Sequence, residues 1–250
     1  MEGVTTTRYP GRVRCKLAGM QTNGWHVIDD EACVLWREYS FTRGAYATTM
    51  VFRGVDGLVV VSPGRGLEAR AYDALREHGE VRALVANNSF HHLGQSAWRE
   101  RFPDAASYAP GGALVALKKK APGIGFRPLA ELALPAHVRC DDPPGFKTGE
   151  TLVSVRTGKG TVWFTGDLLT NIQKTPPPPI RWLFTWTGSA PGFRLFKPAV
   201  WLMVRDRKAV RAWVLQRLAS DPPAIIVPAH GPAFAAGDVA GLARAQIERL

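Results

Sequence analysis

The chain has 250 residues, 46% of them apolar, enough for one sizeable hydrophobic core or two cramped ones, so a single domain over 1–250 is expected. Disorder and collagen-like repetition are excluded. The 32 Lys and Arg against 21 Asp and Glu leave a net charge of +11, which favours anionic partners: small phosphorylated or carboxylated molecules, nucleic acid or an acidic membrane surface. Cys15, Cys33 and Cys140 lack paired metal-ligand spacing, which argues against a disulfide framework or a zinc ribbon and for a reducing, cytoplasmic compartment. Residues 1–7 lack the apolar stretch of a secretory signal, and no uncharged run of about 18 residues marks a spanning helix.

In chain order, residues 34–63 read as a β-meander: Val34-Leu35-Trp36, then 39–41, 46–52 and 58–61, with glycines and charges at the joints. Apolar residues at Leu67, Ala71, Ala74 and Leu75 give helical spacing over 67–78, and 81–86 is a short apolar strand. A second unit follows, with a helix over 93–102, a strand over 105–108 and a helix over 112–120. The last turn of that helix holds Lys118, Lys119 and Lys120, which the helix dipole favours. Beyond a Pro- and Gly-rich connector at 121–134, strands over 151–156 and 161–165 flank Thr157-Gly158-Lys159-Gly160 and predict a hairpin.

Residues 174–198 begin near four prolines at 176–179 and have little periodicity, which predicts a surface excursion, a lid over 174–204. An amphipathic helix over 206–219, a buried strand over 224–227 and a closing helix over 239–250 complete the pattern. Strands first, then alternating α and β, then a similar second half predict an α/β protein with two sheets sandwiched between helices.

Three places combine metal-capable side chains with strand ends: His91-His92 after the strand at 81–86, Asp167 after the strand at 161–165, and His230 after the strand at 224–227. Loops at the carboxyl ends of strands gather on one rim of an α/β sheet, and His with Asp is an ordinary ligand set for Zn, Fe or Mn. Each residue alone also fits a structural role: His91 and His92 in a loop or cap, Asp167 capping a turn, and His230 satisfying a buried backbone group.

Taken in order, Gly57-Leu58-Val59-Val60-Val61-Ser62-Pro63, Asn87-Asn88-Ser89-Phe90-His91-His92-Leu93-Gly94, Thr165-Gly166-Asp167 and Pro228-Ala229-His230-Gly231 resemble the metallo-β-lactamase superfamily. The likeness spans about residues 41–231, and Trp98, Phe102-Pro103-Asp104-Ala105 and Tyr108-Ala109-Pro110 look like a branch with an incomplete metal motif. The resemblance implies an αββα sandwich with metal at the edge between its layers, held by an HxHxDH loop, a later His, an Asp after a Gly, and a final His. Setting the loop's last His on His92 puts Asn87, Ser89 and His91 at the other ligand positions. The family's Gly-His-Thr stretch then has its nearest counterpart in Gly145-Phe146-Lys147-Thr148, and Ser62 stands where an Asp is common.

One metal position is therefore expected to be missing. What the resemblance leaves is a single divalent ion, zinc first and iron or manganese as alternatives, at His92, Asp167 and His230, with His91 either a proton acceptor beside it or a fourth ligand. An open coordination position makes the site hydrolytic, four protein ligands make it structural, and a degenerate site holds no ion. His91 and Asp167 are the candidate catalytic residues, and a small anionic ester or related compound is the expected substrate.

Residues 174–217 carry nine Lys and Arg against one acid, Asp206, together with seven Trp and Phe. Such a stretch fits anionic substrate, peripheral contact with anionic lipid or single-stranded nucleic acid, and equally a lid whose cations are solvated. Nucleic acid is disfavoured, because nucleases of the resembled superfamily carry the fuller motif and a further domain. The rival to a hydrolase is a non-catalytic protein of the same fold that holds an anionic ligand or membrane on this surface.

Overall fold

The computed structural model describes residues 21–42 and 44–250; Cys15 and the reading of residues 1–7 fall outside them. The first sheet has eight strands in sequence order: Gln21–Thr22 (β1), Trp25–Asp29 (β2), Val34–Thr42 (β3), Ala45–Arg53 (β4), Leu58–Val61 (β5), Val81–Val85 (β6), Ala106–Ala109 (β7) and Phe126–Pro128 (β8). It is antiparallel from β1 to β5 and parallel from β5 to β8. Parallel neighbours need crossovers, supplied by Ala69–Arg76 (α1), Gln95–Arg101 (α2) and Gly111–Lys120 (α3).

The second half holds Val138–Asp141 (β9), Leu152–Thr157 (β10), Gly160–Phe164 (β11), the ribbon Leu169–Ile172 (β12) and Gly192–Leu195 (β13), then Pro223–Val227 (β14) and Phe234–Ala235 (β15). The second sheet runs β15-β14-β11-β10-β9, with β11 and β14 parallel. Its helices are Ile180–Thr187 (α4), Lys197–Met203 (α5), Arg207–Ser220 (α6) and Val239–Ile247 (α7). Asp206 caps α6 by accepting from the Ala209 amide (3.0 Å), and Asp238 caps α7 by accepting from the Gly241 amide (2.8 Å).

Side-chain alternation along the strands builds the layers. In β5, Val59 and Val61 enter the interior between the sheets while Leu58 and Val60 face α1 and α2, where Tyr72, Leu75, Trp98 and Phe102 cover them. In β11, Val162 and Phe164 meet the first sheet, and Trp163 turns to α6 and α7 with Val210, Leu218 and Ile247. The four layers are helix, sheet, sheet, helix, as the sequence pattern predicts.

Residues 174–198 hold more regular structure than their low periodicity suggests, namely α4, β13 and the start of α5. Apolar residues occur on almost every side of α4 (Ile180, Trp182, Leu183, Phe184, Trp186), so no one-sided stripe betrays it. One expectation needs correction: Arg217 does not belong to the basic surface. It is 7% exposed, with Nη2 3.4 Å from Asp221 Oδ2 and 3.2 Å from Ser154 Oγ.

Among the described residues no helix is long and apolar enough to cross a membrane. Cys33 and Cys140 are free thiols that burial makes hard to ionise: Cys33 is pushed up to about 11, and Cys140 higher still with Asp141 beside it. Iodoacetamide at mildly alkaline pH should leave both unmodified in the folded protein and alkylate both in urea, read by peptide mass spectrometry.

Candidate metal centre

Three parts of the chain meet at the carboxyl ends of the parallel strands, the rim where α/β sheets assemble functional loops. The segment after β6 supplies Asn87, Asn88 and His91, the turn after β11 supplies Asp167, and the turn after β14 supplies His230. Contacts across the sandwich hold the last turn in place. The Thr48 amide in β4 donates to the Ala229 carbonyl (2.8 Å), its hydroxyl to the Gly231 carbonyl (3.0 Å), and the Asn171 amide in β12 to the His230 carbonyl (2.9 Å).

One ligand atom from each of His91, Asp167 and His230 lies within 4.8 Å of the others. Asp167 Oδ1 is 3.2 Å from His91 Nε2 and 3.1 Å from His230 Nε2. Each member is fixed from behind. His230 Nδ1 is 2.7 Å from the Tyr46 carbonyl, which can only accept, so that nitrogen carries a proton. His91 Nδ1 is 2.8 Å from Ser62 Oγ, and Ser62 is held at the end of β5 in a left-handed conformation (φ 54°) while its carbonyl accepts from Thr49 Oγ1 (2.7 Å). Asp167 Oδ2 accepts from Asn88 Nδ2 (2.9 Å), and Asn88 Oδ1 accepts from the Phe90 amide (2.8 Å), leaving Asp167 Oδ1 for the imidazoles.

This arrangement fits a cation. His230, with its proton on Nδ1, presents a lone pair at Nε2, and a lone pair against a carboxylate oxygen is repulsive unless positive charge lies between them, whereas His91, with Nδ1 on the Ser62 hydroxyl, can take either tautomer. An extra proton supplies that charge, and so does a divalent ion taking two imidazole nitrogens and one carboxylate oxygen, a set suited to zinc, iron or manganese. Outer hydrogen bonds to Nδ1 are the usual means of orienting such ligands. Burial by itself raises the Asp167 pKa, but the charges and hydrogen bonds of His91 and His230 hold it well below the ordinary carboxylate range. Burial would lower His230, and the Asp167 bond and charge outweigh it and raise the group.

His92 falls outside the group, although the sequence suggests it as a ligand. Neighbouring side chains diverge, and in the turn that ends β6 it is His91 that takes the inward direction. The pKa of His92 is lowered by burial and then by the Lys120 charge.

The position expected to have lost its ligands is organised by a residue the sequence reading missed. Phe146 packs in the layer of Val204, Val210 and Trp163. The side chain brought to the cluster is Glu150, from Gly149-Glu150-Thr151 just before β10, and it is 2% exposed. Its Oε1 accepts from Asn87 Nδ2 (3.0 Å) and the Thr151 amide (3.1 Å), its Oε2 accepts from the Asp167 amide (3.1 Å), and Asn88 Nδ2 lies 3.4 Å from both oxygens. N–H donors ringing a carboxylate suit an anion; a second metal ion would need lone pairs there. Burial, then the Asp167 charge, pushes Glu150 well above the ordinary carboxylate range. A Cβ on Gly166 (φ 54°) would strike the Glu150 carboxylate, so this turn requires glycine. A single acid between Gly149 and Thr151 gives no signal of its own in the sequence.

Two cavities flank the cluster. One of about 230 Å³ is lined by His91, Asp167 and His230 on one side and by Tyr39, Phe90, Leu93, Phe196, Leu202 and Met203 on the other. The second, about 470 Å³, reaches from His230 to Glu38, Tyr46, Lys174, Ile180 and Phe184. Burial pushes the Tyr39 phenol up to about 12, so it stays protonated and able to donate. Burial also raises Glu38, with Lys174 opposing.

No family model matches the chain, and no curated protein matches it in sequence. Solved structures do match in shape. A metallo-β-lactamase from Erythrobacter litoralis is 16% identical, with a TM-score of 0.58 over 90% of this chain and 92% of that one. The metallo-β-lactamase FIM-1 from Pseudomonas aeruginosa, in its mono-zinc form, is 15% identical, with a TM-score of 0.53 over 92% of this chain and 94% of that one. A metallo-β-lactamase from Pontibacter korlensis is 13% identical, with a TM-score of 0.52 over 87% of this chain and 94% of that one. The αββα sandwich built here from two sheets and their covering helices is the metallo-β-lactamase fold.

Proposed function

We propose that the protein is a metal-dependent hydrolase with a single-ion site formed by His91, Asp167 and His230, acting on a small anionic ester or related acyl compound. The observation that carries this reading is the convergence of two oriented Nε2 atoms on one buried carboxylate oxygen, beside a cavity. Three protein donors leave room for further ligands, and an ion held there supplies Lewis acidity toward water and an acyl carbonyl. Zinc is the first candidate, with iron and manganese next; the like-folded FIM-1 was crystallised in a mono-zinc form.

The chain's own residues take the remaining roles. Asp167 and His230 orient and charge-balance the site, and of the two roles open to His91, proton acceptor or ligand, its place in the group favours the ligand. Tyr39, protonated at the cavity wall, can donate to oxygen that gains charge during acyl transfer. Lys174 at the larger cavity offers a cation to an anionic substrate group. We assign the activity to the cytoplasm, where thiols such as Cys33 and Cys140 stay reduced.

The test is metal analysis after loading with zinc, iron or manganese and removal of excess, followed by turnover of nitrophenyl esters, thioesters and phosphodiesters. The expected result is about one ion per chain and hydrolysis that a chelator abolishes. An ion-free protein that still binds anionic ligands would replace the hydrolase by the non-catalytic reading.

A further inference from the structure

We infer that the outer face of α4 and α5 is a docking surface for an anionic lipid bilayer, and that docking sets the mouth of the site at the lipid headgroups. Six of the twelve large hydrophobic side chains exposed among the described residues belong to these two short helices: Ile180, Trp182, Leu183, Trp186, Trp201 and Leu202. Trp182 is 64% and Trp186 81% exposed, and the Trp186 and Trp201 rings lie 6.4 Å apart, joining the helices into one patch. An exposed patch of this kind marks an interaction surface, and Trp favours the boundary between water and hydrocarbon.

The surrounding charge selects the occupant. Arg181 and Lys197 sit on the two helices, and Lys174, Arg205, Arg207 and Lys208 border them, all exposed. The one acid in 174–217, Asp206, is engaged as the α6 cap. Tryptophan set among cations matches an interface where apolar chains lie beneath anionic headgroups. A second copy is a poorer occupant, because a two-fold pairing of this face sets its cations against their own duplicates.

The same helices form walls of both cavities. Ile180 and Phe184 of α4 line the larger one, and Ala199, Leu202 and Met203 of α5 line the smaller one that contains His91, Asp167 and His230. A bilayer against their outer face therefore lies next to the substrate space. The docking itself does not depend on the metal reading.

The experiment uses the full chain with vesicles of phosphatidylcholine alone and of phosphatidylcholine mixed with phosphatidylglycerol, read by cosedimentation and tryptophan emission. The expected result is a blue shift and sedimentation with the mixed vesicles, at least about tenfold tighter than with phosphatidylcholine and weakened by salt. Trp182→Ala with Trp186→Ala should abolish both signals while leaving circular dichroism and metal uptake unchanged, since neither side chain is buried. Arg181→Ala with Lys197→Ala should reduce the preference for phosphatidylglycerol. Equal affinity for the two vesicle types would overturn the proposal. So would binding confined to a single-stranded oligonucleotide, or a self-associated species in sedimentation velocity that the tryptophan variant dissolves without any vesicle binding.

Discussion

Replacing Asp167 by Asn should remove ion uptake and hydrolysis together while the chain still folds. The substitution keeps the shape and leaves an oxygen that can accept from Asn88, but it withdraws the charge against which His91 and His230 are set at 3.2 and 3.1 Å. A directly ligating carboxylate should cost more than an outer partner, whose loss typically weakens metal affinity by about 10–100-fold. Ser62→Ala provides that lower rung: it frees His91 Nδ1 without touching a ligand atom, so affinity should fall by about 10–100-fold and activity should return at high metal concentration. Metal titration monitored by activity separates the two variants. Asp167→Asn protein that hydrolyses at the parent rate would remove the site from the chemistry.

Replacing Glu150 by Ala should destabilise the protein, because each buried N–H group left without an acceptor costs about 1–3 kcal/mol. The substitution strands the Asn87 amide and the Thr151 and Asp167 backbone N–H groups, which have that carboxylate as an acceptor, while Asn88 keeps its bond to Asp167. Glu150→Gln keeps one carbonyl oxygen and most of the volume, so its cost should be smaller, about 1–3 kcal/mol. Urea midpoints at an unchanged slope measure both. A neutral Glu150→Ala variant would mean that the network contributes nothing and that the two asparagines need another explanation.

The elements most plainly written in the sequence are those whose buried faces differ from their exposed ones. The meander β3 to β5, the helix α1 with Ala71, Ala74 and Leu75 turned inward, and the hairpin of β10 and β11 lie within a few residues of where spacing and turn chemistry put them. The short strands β2, β9 and β12 carry too few residues for a two-residue alternation to emerge, and α4 is apolar nearly all round. At the site, strand-end position was enough to bring forward Asp167 and His230. Choosing between His91 and His92 was beyond it, because the direction of a side chain in a turn depends on backbone angles that a residue pattern does not encode. Glu150 stayed hidden for a different reason. A lone acid beside a strand reads as solvent-facing, and the donors that make its burial tolerable include the amides of Asn87 and Asn88, more than sixty residues earlier in the chain, and the Asp167 backbone N–H.

His91 comes from the half of the molecule built on the first sheet, whereas Asp167 and His230 come from the half built on the second. Any ion they share is thus a rivet across the seam, present only when both halves are closed on each other. Its grip would then depend on the fit of Val59, Val61, Val153 and Phe164 deep in the seam as well as on the three ligands themselves. A loosened interior could imitate a damaged active site, with every ligating side chain still in place.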